Sequence, residues 1–135
     1  VNLIDAYPVS DEVGKSNNKK GEYFDFSVGV SFKNSRIKNI TYEISLTPLT
    51  SSLEYKYVKI NLIENGKEVL INDKKVNRIS ELKASSVRKD SYFLRKVTVD
   101  KYAINKYTFR MWLSSDYELD GTNKTFRCII NVDAY

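Results

Sequence analysis

From Tyr23 to Phe32 apolar and polar residues alternate with a period of two. Phe24, Phe26, Val28, Val30 and Phe32 fall on one face, and Tyr23, Asp25, Ser27, Gly29 and Ser31 on the other. Successive side chains of a strand point to opposite faces of its sheet, so this pattern predicts a strand with one face buried. The stretch from Ile40 to Thr47 repeats it, with Ile40, Tyr42, Ile44 and Leu46 set against Thr41, Glu43, Ser45 and Thr47. The polar run Lys33-Asn34-Ser35-Arg36 between the two reads as a turn. Val58, Ile60 and Leu62 open a third strand that meets Asn65-Gly66 ahead of Lys67 to Ile71. Both residues of that pair tolerate positive φ, which predicts a type I′ hairpin.

A second polar turn comes at Asn72-Asp73-Lys74-Lys75, and Ile79 and Leu82, three apart, predict a short helical turn. The alternation from Tyr92 to Val99 slips near Arg95-Lys96, as a β-bulge makes it do. Tyr107, Phe109, Met111 and Leu113 share one face of the next strand, and Phe126, Cys128, Ile130 and Val132 one face of the last. About seven or eight short strands, and no amphipathic helix of three turns, predict an all-β chain. The expected fold is an antiparallel two-sheet sandwich, jelly-roll or immunoglobulin-like, and its expected core is Phe24, Phe26, Val28, Ile44, Leu46, Phe109, Met111, Phe126, Cys128 and Ile130.

The first 21 residues differ in kind: residues 1–21 read as a strand arm on a polar tether, and residues 22–135 as the sandwich domain. Val1, Leu3, Ile4 and Ala6 need a sheet to bury them, Pro8 closes the strand, and Ser10 to Gly21 is polar. Extended at about 3.3 Å per residue, that tether reaches roughly 40 Å. The arm can therefore pair within its own sheet or with a neighbouring subunit, and the sequence leaves both open.

Composition removes several kinds of chemistry. The chain has 135 residues, no His and one Cys, so the commonest general base, the commonest zinc ligand and every multi-cysteine site are missing. It is expected to be no enzyme and to hold no cofactor. No run approaches the roughly 18 apolar residues of a spanning helix, so no transmembrane segment is expected in this chain. The net charge of +5, from 22 Lys and Arg against 17 Asp and Glu, permits a polyanion partner, but the charges are dispersed.

Three groups of residues are candidate sites. Asp116, Glu118 and Asp120 ahead of Gly121 have the alternate spacing of a calcium loop, although Arg127 stands where such a loop needs its bidentate Glu. Arg95, Arg110 and Arg127 fall on the outward faces of late strands; as neighbours they would form a cationic ladder beside Trp112, a platform for a glycan or polyanion. Cys128 shares a face with Phe126 and Ile130 and reads as a core residue.

Four segments in order carry a resemblance. They are Leu3-Ile4-Asp5-Ala6-Tyr7-Pro8-Val9-Ser10-Asp11, Ile40-Thr41-Tyr42-Glu43-Ile44-Ser45-Leu46, Phe109-Arg110-Met111-Trp112-Leu113 and Phe126-Arg127-Cys128-Ile129-Ile130-Asn131-Val132. Together they resemble secreted proteins of low-GC Gram-positive bacteria that are distantly similar to the TasA/camelysin group of matrix-fibre proteins. The resemblance implies a jelly roll exported to the cell surface, with subunits joined by strand donation, and it carries over no catalytic residue. The metallopeptidase activity attributed to the camelysin branch has no basis here, since the chain lacks H-E-x-x-H. Two functions are therefore expected: a structural subunit of an extracellular fibre, surface layer or virion-like shell, forming homo-oligomers or polymers, or a module binding a glycan or receptor.

Overall fold

The computed structural model describes residues 1–32 and 38–135, so the turn expected at Lys33 to Arg36 lies outside the described residues. The strands are β1 (Asn2–Ile4), β2 (Tyr23–Val30), β3 (Ile40–Pro48), β4 (Val58–Glu64), β5 (Lys67–Glu68), β6 (Asn77–Arg78), β7 (Tyr92–Val99), β8 (Ala103–Leu113) and β9 (Thr125–Ala134). A short helix, α1 (Asp11–Lys15), and two 3-10 turns, Tyr55–Tyr57 and Ile79–Glu81, complete the regular structure.

The strands form two antiparallel sheets. Sheet 1 has the order β1-β9-β3-β7, and sheet 2 the order β2-β8-β4-β5 with β6 also on β4. The pairing is nested: β1 lies beside β9, β2 beside β8, β3 beside β7, and β4 beside the short β5 and β6. A long hairpin folded over on itself pairs in this way, and of the two sandwich types expected the chain has the jelly-roll arrangement.

Local chemistry accounts for the turns. Asn65 and Gly66 both have positive φ, 50° and 82°, and set Glu64 opposite Lys67 as a two-residue hairpin should. Asn72 and Asp73, at 52° and 62°, make a second tight turn that brings Ile71 back against Lys74. Ile79 is buried at the head of the 3-10 turn expected around it.

Ile44, Leu46, Phe109, Met111, Phe126 and Cys128 are buried between the sheets, and Phe26, Val28 and Ile130 are half-buried against them. Phe24 is a correction: it is 42% exposed. It points inward, but β2 is the terminal strand of sheet 2, so the Phe24 ring lies at the rim and stacks on Phe26, 5.2 Å away. The bulge expected in β7 is present. Ile44 faces Arg95 and Ser45 faces Phe93, which leaves Leu94 as the extra residue. That extra residue inverts the facing of the rest of β7, so Arg95 points between the sheets and not outward as its sequence position implied.

Candidate functional site

Arg95 ends in a polar clamp that joins the two layers. Its Nε and Nη2 donate to the two carboxylate oxygens of Glu64 on β4, each at 3.0 Å. The Tyr107 hydroxyl donates to the same carboxylate at 2.7 Å and lies 2.5 Å from the Tyr42 hydroxyl, which accepts from Asn105 Nδ2 at 2.9 Å. Donation therefore runs one way, from Asn105 through Tyr42 and Tyr107 to Glu64. Burial, reinforced by the Glu64 and Tyr42 contacts, raises the Tyr107 hydroxyl far above its ordinary value. Burial also pushes Glu64 up, but the hydrogen bonds from Arg95 and Tyr107 outweigh it and hold the carboxyl below its usual range. Tyr107 is thereby held protonated and Glu64 charged, which suits a fastener between β3, β7, β4 and β8. An open depression of about 640 Å³ beside the clamp is lined by Glu64, Arg95, Lys67 and Glu68. Its carboxylates are already paired: Glu64 with Arg95, and Glu68 with Lys15 and Lys75.

The cationic ladder does not form. Arg95 and Arg127 belong to sheet 1, with Arg95 turned inward, whereas Arg110 lies on sheet 2 and donates to the Asn17 carbonyl at 2.9 Å and to Asn18 at 3.1 Å. Of the three, only Arg127 is exposed. Trp112 is a further correction, because it is 1% exposed and presents no platform.

Trp112 is covered by the very segment expected to be a free tether. Ser10 caps α1 by accepting from the Val13 amide at 3.3 Å, and Gly14 lies so close to the indole that a Cβ there would overlap the ring. Asp11 accepts from Trp112 Nε1 at 3.3 Å and from Lys59 at 2.9 Å. With Arg110 holding Asn17, the segment is a strap bound to the outer face of sheet 2, and its reach is lost. Between β1 and the Val9 amide, which donates to Leu113, lie the four residues Asp5 to Pro8. Ser10 with Asp11 and Glu12 after it is a helix-start signal that could have revealed the strap in the sequence.

The three calcium candidates point to separate partners. Asp116 bonds Arg78 at 3.2 Å, Asp120 accepts from the Thr122 amide at 3.0 Å and from its hydroxyl, and Glu118 is exposed between them. Thr122, by its hydroxyl and amide, holds Asp120 down to about 2. Among the described residues no three of His, Cys, Asp or Glu are placed to hold a metal ion. Cys128 is buried 4.0 Å from the Met111 sulfur, and burial pushes its thiol up to about 12, the environment of an inert core thiol.

The arm itself lies in its own sheet. Asn2, Leu3 and Ile4 face Arg127, Phe126 and Thr125 of β9, and Val1 exchanges both backbone bonds with Cys128, at 2.9 and 3.0 Å. Leu3 is fully buried, Val1 and Ala6 pack against the core, and Ile4 is exposed. Asp5, at φ 52°, turns the chain out of the strand. Among the described residues no helix is long and apolar enough to cross a membrane. No family model, curated protein or solved structure matches the chain.

Proposed function

We propose that the chain is a non-catalytic structural subunit of an extracellular or cell-surface assembly, self-associating through the edges of its sandwich. The observation that carries this reading is the arm. A short apolar strand completes a sheet edge, lies apart from the rest of its sheet in sequence, and leaves it through a turn at Asp5. Such a strand can exchange between copies at little net cost, because the same contacts re-form in the neighbour. The strap limits that exchange to close neighbours: the four residues Asp5 to Pro8 extend about 13 Å. Glu64, Glu68, Asp116 and Asp133 are each taken up by an ion pair within the chain. The resemblance that four segments of the sequence bear to matrix-fibre proteins points to the same reading. The platform expected for a glycan- or receptor-binding role is weakened, since Trp112, Arg95 and Arg110 are committed elsewhere.

Sedimentation velocity of the full chain tests this reading. Assemblies are expected to grow with concentration, and a chain that stays monomeric throughout contradicts it. Arm exchange has its own test in the disulfide Asn2→Cys with Arg127→Cys, which links residues that face each other across β1 and β9. Locked in its own sheet, the arm keeps the fold and should no longer join subunits; assembly by the oxidised variant at wild-type level excludes exchange.

A further inference from the structure

We infer that Lys15, Glu68 and Asn61 form a self-linking site, in which the Lys15 amine displaces ammonia from the Asn61 carboxamide and leaves an isopeptide bond between strap and sheet. The bond joins two parts of one chain, so it does not depend on the assembly reading above.

The three residues come from separate segments. Lys15 ends α1, Asn61 lies on the outer face of β4, and Glu68 ends β5, which the Asn65-Gly66 turn folds back onto β4. One carboxylate oxygen gathers the other two: Glu68 Oε1 lies 3.1 Å from Lys15 Nζ and accepts from Asn61 Nδ2 at 3.3 Å. An amine and a carboxamide thus meet on a single base, and the flexible stem of Lys15 lets Nζ swing onto the Asn61 Cγ. Asn61 is 1% exposed and firmly held, since Nδ2 also donates to the Lys75 carbonyl at 3.0 Å. Its Oδ1, however, is buried with no hydrogen-bond partner. A buried acceptor left unpaired is costly and calls for a reason. Here it is the atom on which negative charge collects when an amine adds to Cγ. Arg110 stands directly opposite Asn61 on β8 and brings a positive charge to the same face of the sheet.

The step balances without a co-reactant. Hydrogen bonding from the Lys15 ammonium holds the Glu68 carboxyl below its ordinary range, so Glu68 begins as a base. It takes a proton from Nζ, the free amine adds to Cγ, and the electron pair of the carbonyl moves onto Oδ1. Glu68 then passes its proton to Nδ2, the carbonyl re-forms, and the Cγ–Nδ2 bond breaks to release ammonia. The attacking nitrogen sheds its surplus proton through Glu68, and ammonia carries it away as ammonium. Lys15 is neutral in the product, and Lys75, 3.4 Å from Glu68 Oε2, remains as the counter-ion of the carboxylate. Holding amine and amide on one carboxylate replaces the high amine concentration that the same exchange needs in free solution.

Intact mass spectrometry of the folded full chain tests the site. After incubation the wild type should weigh one ammonia less than its sequence, and fragmentation of a digest should place the loss in a peptide that joins Lys15 to Asn61. Lys15→Arg keeps the charge facing Glu68 but offers no nucleophilic amine, and Glu68→Gln removes the base. Both should retain the full mass, with circular dichroism showing them folded. Wild-type chain held in denaturant should retain it too, because only the fold brings the three residues together. A folded wild type that stays at its sequence mass overturns the site. So does a loss that persists in either variant, as it would if the ammonia came from a succinimide at Asn65-Gly66.

Discussion

On the outer face of sheet 2, Trp112 points away from the interlayer core and is nevertheless buried; at the edge of sheet 1, Val132 shares the inward face of β9 and is nevertheless exposed. The difference lies in what the chain supplies. The strap brings Ser10 as a cap, a glycine at the one point where a side chain would strike the indole, and Asp11 for the indole N–H. Along β9 the ladder with β1 spans Thr125 to Arg127, and Val132 lies outside it. Whether an apolar group outside the interlayer core is buried thus depends on which segment of the chain is brought over it.

Trp112→Ala should produce the largest loss, about 3–5 kcal/mol, because it empties the space between strap and sheet. Chemical denaturation measures it, and a loss comparable to that of a surface residue would show that the strap is not anchored there. Next comes the clamp, the other place where polar groups are held indoors. Glu64→Gln removes the charge that Arg95 and Tyr107 face, at about 1–3 kcal/mol once partial solvent screening is allowed for. Its pH dependence comes from the lowered Glu64 carboxyl. A carboxyl whose value is depressed by folding contributes stability above its unfolded value, and the contribution disappears as pH falls through the folded one. The difference in melting temperature between wild type and Glu64→Gln should therefore be full at neutral pH and shrink in acid; a difference independent of pH refutes the clamp.

Gly14→Ala sharpens the comparison from the strap side. The added Cβ must push helix or indole aside, costing about 1–3 kcal/mol, and the Trp112 fluorescence should shift red as water enters. An unchanged spectrum and melting curve would mean that the strap is loosely held. The smallest effect on stability belongs to Val132→Lys, within about 0.5 kcal/mol by chemical denaturation, since the residue is 41% exposed. A loss as large as that of a strap variant would erase the difference between the two regions.

The alternation of β2, β3, β8 and β9 and the Asn65-Gly66 turn are legible in the sequence because both are local properties of the chain. Arg95 is misplaced by alternation because one extra residue, Leu94, reverses the facing of the rest of β7, and the slip in the pattern does not say which side its neighbours will take. Phe24 is misplaced because alternation tells which face a residue is on and not whether a facing strand extends that far. Trp112 and the strap involve contacts a hundred residues apart in sequence.

Sedimentation velocity of the full chain, run beside the oxidised Asn2→Cys/Arg127→Cys variant, tests the central claim most directly, because those two residues face each other across β1 and β9. Assemblies that grow with concentration in the wild-type chain and are lost when the arm is locked are the predicted result. A wild-type chain that stays monomeric at every concentration would contradict the account.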